Sequence, residues 1–517
     1  MIKRVLGLLL VGFLLWGFCP GMTFAKGLIP YPAKMTQSEG VFLFTPQTKI
    51  VCDKALASFY PFYKEILEAK SGFQLAEKGK GTNRLLLKVD KTLNLPLEGY
   101  KLSVTSNEVT IEASSSKGIF YGLQSMFQLM EHKETPNTVA IPLVDIEDAP
   151  RFGWRGIMLD VSRTFMSVPL VKRYIDLMAA YKLNVLHLHL TDDQGWRVEI
   201  KKYPRLTSIG SKFAPEFNEM GGYYTQEDIK DLVKYASLRN ITIVPEIDLP
   251  GHTCAVIASY PDLSCRSVRP QIHPHVKGPS VHQEILCAGK PEVYEFIYGV
   301  LDELVELFPS EYIHIGGDEA PKNEWKKCPY CQQAIKANGL NNEEELQSHF
   351  VKELGLYLAS KNRKLVGWDE IMDGGKLKGD EVIMYWRGWI KNQILDYAKR
   401  DFKVVTSPTS HCYFDYSYST IDTKRVYSFE PIPAEIPADK RDNYIGVQAN
   451  FWSHLDRSES RIDRQLFPRL FALAEIAWTS PENKDWERFK SCAKAQNEYL
   501  RTEGVNGYFD DCLYYPD

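Results

Sequence analysis

Tyr312-Ile313-His314-Ile315-Gly316-Gly317-Asp318-Glu319 is the stretch on which the fold turns. A short, isoleucine-rich run reads as a buried strand. Two glycines break it, and two carboxylates follow at once. Outward from this stretch, runs of the same kind recur. Gly156–Val161, Asn184–Leu190 and Ile241–Ile247 precede it; Lys364–Gly367, Glu381–Tyr385, Lys403–Thr406 and Tyr444–Gln448 follow. Amphipathic helical stretches fall between them, among them Leu170–Tyr181, Gln226–Leu238, Pro291–Leu307 and Glu343–Ser360. Short apolar strands alternating with longer helices predict a parallel sheet. Eight of them in about 300 residues match a (β/α)8 TIM barrel, an α/β fold of ~250 residues with insertions. A doubly wound open sheet is the alternative, but no Gly-rich phosphate loop follows the first strand.

The polar residues support closure into a barrel. Asp160 and Arg163, Asp192 and Asp193, and Glu246, Asp248 and His252 follow the first three strands. Asp318 and Glu319, Trp368 to Glu370, Trp386 and Arg387, Tyr413 and Asp415, and Trp452 to His454 follow the other five. Barrels of this kind build their active sites at the C-terminal ends of the strands. Gly316-Gly317 allows a turn tight enough for Asp318 and Glu319 to reach one pocket despite strand alternation.

Residues 26–149 differ in pattern. Asn83–Val89, Tyr100–Val104 and Val109–Ala113 alternate like strands, and Gly118–Glu131 reads as a helix. This zone predicts a smaller α+β domain preceding a catalytic barrel and C-terminal segment at 150–517, with Asp148-Ala149-Pro150 at the boundary. No low-complexity linker separates the two, so direct packing is expected. Residues 1–25 read as a signal peptide: Lys3 and Arg4, an apolar run from Val5 to Cys19, then Thr23-Phe24-Ala25. The run is broken at Pro20, short of the roughly 20 residues of a membrane span. The expected location is therefore periplasmic, cell-surface or secreted, with no stable membrane span.

Composition narrows the function. Lys+Arg number 62 against 66 Asp+Glu, a formal net charge of −4. That balance, without a long basic run, argues against nucleic acid as a partner. Hydrophobic residues at 44% and charged residues at 25% exclude disordered and collagen-like classes. Aromatics reach 12%, with 10 Trp and 28 Tyr, enough to line a stacking surface. A pocket of carboxylates, Trp and Tyr with no cofactor motif suits a carbohydrate, because flat rings pack on pyranose faces while charged groups bind hydroxyls. Glycoside cleavage needs a proton donor and a negative group beside the anomeric centre, and Asp318-Glu319 can supply both. Nothing in the composition distinguishes a monomer from a homodimer.

His314-Ile315-Gly316-Gly317-Asp318-Glu319 resembles the signature of glycoside hydrolase family 20, the β-N-acetylhexosaminidases. The resemblance extends to Arg155-Gly156-Ile157-Met158-Leu159-Asp160-Val161-Ser162-Arg163, to His187-Leu188-His189-Leu190-Thr191-Asp192-Asp193-Gln194-Gly195-Trp196 and to Pro250-Gly251-His252-Thr253. It covers about Pro150 to Pro481, and the earlier zone is similar to the family's non-catalytic α+β domain. The resemblance implies a retaining, substrate-assisted exo-glycosidase, in which the acetamido carbonyl of a terminal N-acetylhexosamine attacks C1 and forms an oxazolinium intermediate. It implies Glu319 as general acid and then base, Asp318 as partner of the acetamido N–H, and Tyr413 as donor to the acetamido oxygen. Trp368, Trp386 and Trp452 would wall the pocket. Arg163 and Asp415 would hold hydroxyls, and Asp192 with His252 would tune Glu319. Two positions depart from the family. His454 follows Trp452-Ser453 where a Glu is usual, replacing a two-oxygen acceptor by an imidazole and leaving gluco-versus-galacto preference open. Thr164 stands where a His commonly precedes the aromatic.

Two other functions fit the residues. His187 and His189 with a nearby Asp could ligate a catalytic metal, although no other strand supplies a matching set. His454 and Thr164 would suit a glycan-binding protein without turnover. The expected cofactor set is empty. Nine cysteines remain after the leader, so at least one is unpaired within the chain. Cys265 and Cys287 bracket a Pro/His-rich loop and are the expected disulfide. Cys328-Pro329-Tyr330-Cys331 reads as half of a zinc site with no second half in sequence, and so as a local disulfide or two thiols.

Overall fold

The computed structural model describes residues 27–77, 79–213, 221–272, 281–377, 379–453 and 458–515. The expected leader and His454 lie outside these residues.

The first domain is a seven-stranded sheet. Its path runs Lys34–Phe44, Val139–Asp148, Tyr100–Val104, Glu108–Ala113, Arg84–Val89 and Lys49–Cys52, with Glu131–His132 paired to Val139–Asp148. The helix Ser116–Leu129 lies against it. Ser115 starts that helix by accepting hydrogen bonds from the Lys117 and Gly118 amides, and the helix buries Ile119, Leu123 and Met126. The two longest strands have no clean alternation in sequence. Lys34–Phe44 changes register between Gln37 and Val41 and is mostly exposed, and Val139–Asp148 carries Pro142.

The second domain is a closed barrel of eight parallel strands in sequence order. They are Trp154–Asp160, Val185–His189, Thr242–Glu246, Tyr312–His314, Lys364–Trp368, Val382–Tyr385, Lys403–Thr406 and Tyr444–Phe451. Each corresponds to an expected strand. The last pairs with the first from Gly446–Trp154 to Phe451–Leu159, which closes the ring without an edge. Val185, Val244, Val366, Val382, Val405, Trp154 and Met384 fill the interior, so it is a packed plug under the pocket rather than a channel.

The domains are joined through buried polar groups. Asp148 accepts from Tyr100 Oη (2.7 Å), Lys182 Nζ (3.0 Å) and Trp478 Nε1 (2.9 Å). Arg155 is fully buried; it pairs with Glu98 at 2.8 Å and donates to the carbonyls of Phe152 (2.7 Å) and Lys182 (2.8 Å). These contacts tie the small domain to the N-terminal end of the barrel and leave the other end open. Among the described residues, no helix is long and apolar enough to cross a membrane.

The expected Cys265–Cys287 disulfide is not formed; both side chains are free thiols. The expectation rested on a two-residue pairing in sequence. In three dimensions Cys328 and Cys331 enter the same cluster: Cys287 Sγ lies 3.6 and 3.5 Å from them and Cys265 Sγ lies 3.9 Å from Cys331, against about 2.0 Å for a bond.

Candidate active site

At the C-terminal ends of the barrel strands lies a pocket of about 200 Å³, lined by Arg163, Asp318, Glu319, Trp368, Trp386, Tyr413, Asp415, Tyr416 and Trp452. A larger hollow of about 620 Å³ lies at the opposite end, between Glu98, Arg151, Trp154, Asn184 and Tyr312. It is formed by strand beginnings, where barrel enzymes do not place their chemistry.

The turn after the fourth strand sets the acid pair. Gly316 and Gly317 have φ of 67° and 100°. A Cβ on Gly316 would overlap the Asp248 carboxylate, and one on Gly317 would overlap the Ile371 side chain. Only glycines fit there. The Gly316 carbonyl accepts from the Trp368 amide at 2.8 Å, and the Gly317 carbonyl from Gln347 Nε2 at 2.6 Å. Glu319 itself has φ of 44°, a left-handed conformation that a non-glycine residue adopts at a cost of roughly 1–3 kcal/mol. The turn is thus over-determined, and it points Asp318 inward while leaving the Glu319 side chain 45% exposed at the mouth.

The first and second strands supply a charge relay. Asp160 accepts from the Ser162 and Arg163 amides (3.0 and 2.9 Å), closing the loop that turns Arg163 back over the barrel. Arg163 pairs with Asp160 at 3.2 Å and Asp192 at 2.7 Å, and its guanidinium lies 4.7 Å from the Trp452 ring centre. Arg163 neutralises pocket carboxylates, and its buried Nε has no hydrogen-bond partner in the protein.

Asp192 passes the relay to His252, whose Nδ1 lies 3.2 Å from Asp192 Oδ1 and whose Nε2 lies 3.5 Å from Glu319 Oε2. Neither meets hydrogen-bond geometry, so these are charge contacts. Burial disfavours the imidazolium, but Asp192, Asp193 and Glu319 hold the His252 pKa well above its ordinary value. That cation in turn holds Glu319 below the usual Glu range, against burial acting the other way. Burial pushes Asp318 up to about 6, with His252 opposing and Glu246 and Glu319 adding to the shift. Asp415 is pushed up to about 7, chiefly by burial. Asp318 Oδ1 and Asp415 Oδ1 are buried without a protein partner.

The aromatic wall is continuous. Trp368 and Trp452 lie 5.8 Å apart, Tyr413 and Trp452 6.3 Å, and Trp386 stacks on Tyr413 at 6.2 Å. The Trp368 indole donates to Glu246 Oε1 (2.8 Å) and the Trp386 indole to Glu370 Oε2 (2.7 Å). Glu370 and Tyr416 were not among the expected site residues. Glu370 sits in the Trp368-Asp369-Glu370 strand end already visible in sequence; Tyr416 carried no signal beyond its nearness to Tyr413.

His187 and His189 do not line the pocket. Both are fully buried beneath it with His314, and all three imidazoles face Glu246, His187 at 3.0 Å, His189 at 2.5 Å and His314 at 3.1 Å. Burial opposes the Glu246 charge, but His189, His314 and His187 together hold its pKa well below the ordinary value. The Trp368 ring lies against His187 and His314, and the Trp452 ring against His189. Every expected site residue in the described regions is therefore in the pocket wall or touching it.

Two family models match the chain: glycosyl hydrolase family 20, catalytic domain, over residues 152–481, and family 20, domain 2, over residues 25–149. A β-hexosaminidase of Porphyromonas gingivalis is 40% identical over 508 residues, covering 93% of this chain; the chain spans 64% of that protein's length. Among solved structures, the family 20 exo-β-N-acetylglucosaminidase of Vibrio harveyi, in complex with N-acetylglucosamine, superposes with a TM-score of 0.85 at 35% identity, covering 94% of this chain and 79% of that one. The β-N-acetylhexosaminidase of Bacteroides fragilis gives 0.82 at 32% identity, covering 93% and 96%. With models matching both domains and a pocket whose acid pair lies on the barrel rim, the chain belongs to glycosyl hydrolase family 20.

Proposed function

We propose that the protein is an exo-acting β-N-acetylhexosaminidase that releases terminal N-acetylglucosamine or N-acetylgalactosamine from glycans, with retention and with the substrate's acetamido group as nucleophile. The observation that carries this reading is the pairing of Asp318 with Glu319. One carboxyl is buried against the aromatic wall with a free oxygen; the other is at the mouth, beside His252. The small pocket suits a single terminal ring, and similarity to the Vibrio harveyi enzyme supports the same substrate class.

In this mechanism Glu319 protonates the leaving oxygen. Its pKa is low in the free site, where its side chain meets solvent and the His252 cation. A bound sugar displaces that solvent and favours the neutral acid. Asp318 accepts the acetamido N–H and balances the positive charge that develops as the carbonyl oxygen reaches C1. Tyr413 fixes that oxygen, and Trp368, Trp386 and Trp452 enclose the methyl group, holding the arm in an attacking geometry. After the aglycone leaves, the Glu319 carboxylate takes a proton from water attacking C1. Arg163 and Asp415 orient ring hydroxyls. The chain is exported by its leader and acts outside the cytoplasm, which N-terminal sequencing of the mature protein tests.

A panel of chromogenic glycosides tests the function. Turnover is expected with β-linked 2-acetamido sugars and not with their 2-hydroxy counterparts. Tight binding of N-acetylglucosamine with no hydrolysis of any glycoside would instead establish a binding protein.

A further inference from the structure

Outside the pocket, one cluster of reactive side chains is unused by the chemistry above. Cys265, Cys287, Cys328 and Cys331 bring their four sulfurs within 4.8 Å of one another. Cys287 Sγ lies 3.6 Å from Cys328 and 3.5 Å from Cys331, and Cys265 Sγ lies 3.9 Å from Cys331. Zinc binds thiolates at about 2.3 Å, and a tetrahedron with that radius has sulfur–sulfur edges of about 3.8 Å. These three edges bracket that value, and each is far longer than a disulfide bond. We propose that these four cysteines bind one zinc ion as a closed, tetrahedral structural site clipping the loop after the third barrel strand to the loop after the fourth.

The surroundings are built for it. Cys287, Cys328 and Cys331 are buried and Cys265 partly so. Cys328 precedes the first turn of helix Pro329–Ala337, and Cys331 lies inside that turn, so the pair spans a knuckle. A Cβ on Gly289 would overlap the Tyr330–Cys331 backbone, so glycine there lets the Cys287 limb close against the knuckle. The Cys265 limb is held to it by the Ser264–Leu286 bridge and by the Cys287 amide donating to the Leu263 carbonyl at 2.9 Å. In sequence only the Cys328–Cys331 half was visible. Its partners lie more than forty residues upstream on a different loop, too far for finger spacing.

The two clipped loops also carry the pocket's acid–base groups. The Leu286 amide donates to the Pro250 carbonyl (3.1 Å), two residues before His252, and the Trp325 indole donates to the Leu286 carbonyl (2.9 Å) from the segment following Glu319. Zinc there would fix the relation between His252 and Glu319 without touching substrate.

The test is metal analysis of the full chain purified without chelator or reductant, with thiol counting and non-reducing peptide mapping. The expected result is about one zinc per chain and four thiols protected until zinc is removed. Cobalt(II) exchanged into the wild-type protein should give the intense visible bands of tetrahedral thiolate coordination. Cys328→Ser should lower metal retention at least tenfold under chelator competition, while Cys52→Ser, in the first domain, should leave it unchanged. If Cys328→Ser does not fold, the wild-type cobalt spectrum decides. A metal-free protein, or a Cys265–Cys287 disulfide by mapping, overturns the proposal.

Discussion

Asp318→Asn isolates the charge of the buried carboxyl from its shape. The amide oxygen can still accept the acetamido N–H, so the variant loses the negative charge opposite the developing cation. At hydrogen-bond distance of about 3 Å and an effective dielectric of about 20, that pair is worth roughly 5 kcal/mol, an upper limit. The matching loss in kcat/KM is about three to four powers of ten at pH 7. Because burial places Asp318 at about 6 in the free site, about nine-tenths of it is ionised at pH 7 but only about a tenth at pH 5. The wild-type advantage over Asp318→Asn should therefore shrink about tenfold between those pH values, in kcat/KM measured with an activated N-acetylglucosaminide. Stability should move the other way. The folded carboxyl titrates at about 6 against an ordinary 3.8 for Asp, so ionising it costs the fold roughly 3 kcal/mol. That cost is complete above pH 6 and absent below the unfolded value. The variant should thus unfold at higher temperature than wild type at pH 7, with the difference fading towards pH 4. A ratio of activities independent of pH, or a loss smaller than tenfold at pH 7, would refute this assignment of Asp318.

Two further substitutions address other parts of the account. Glu319→Gln cannot protonate a leaving oxygen, so turnover of substrates with poor leaving groups should fall by at least a hundredfold, with a far smaller fall for a dinitrophenyl glycoside. Comparing kcat/KM across leaving groups checks this, and an equal loss for all would remove Glu319 from the acid role. Arg155→Ala leaves Glu98 unpaired at the domain seam and empties a fully buried site. Chemical denaturation should register a loss of about 3–5 kcal/mol, and a loss below 1 kcal/mol would show that the seam does not hold the domains together.

The barrel was legible because each strand is short, apolar and followed by charge, a pattern that the closed, plugged architecture imposes on every repeat. Gly316-Gly317 was legible for the same reason: no other residue fits between Asp248 and Ile371. Strands Lys34–Phe44 and Val139–Asp148 were not, because a register shift and a proline erase the two-residue period. The roles of His187 and His189 were ambiguous in sequence and became clear only when Glu246, from the neighbouring strand, was found between them. The four-cysteine cluster was hidden for a related reason. Its halves come from different βα loops, and sequence spacing carries no record of which loops meet.

The central claim is that the sugar's own amide supplies the nucleophile. It is tested most directly by a series of glycosides whose acetamido methyl carries zero, one, two or three fluorines, each of which weakens the carbonyl oxygen as a nucleophile. The account predicts that kcat/KM falls steeply and progressively along the series. A flat series, with an intermediate ester trapped on a protein carboxylate, would contradict it.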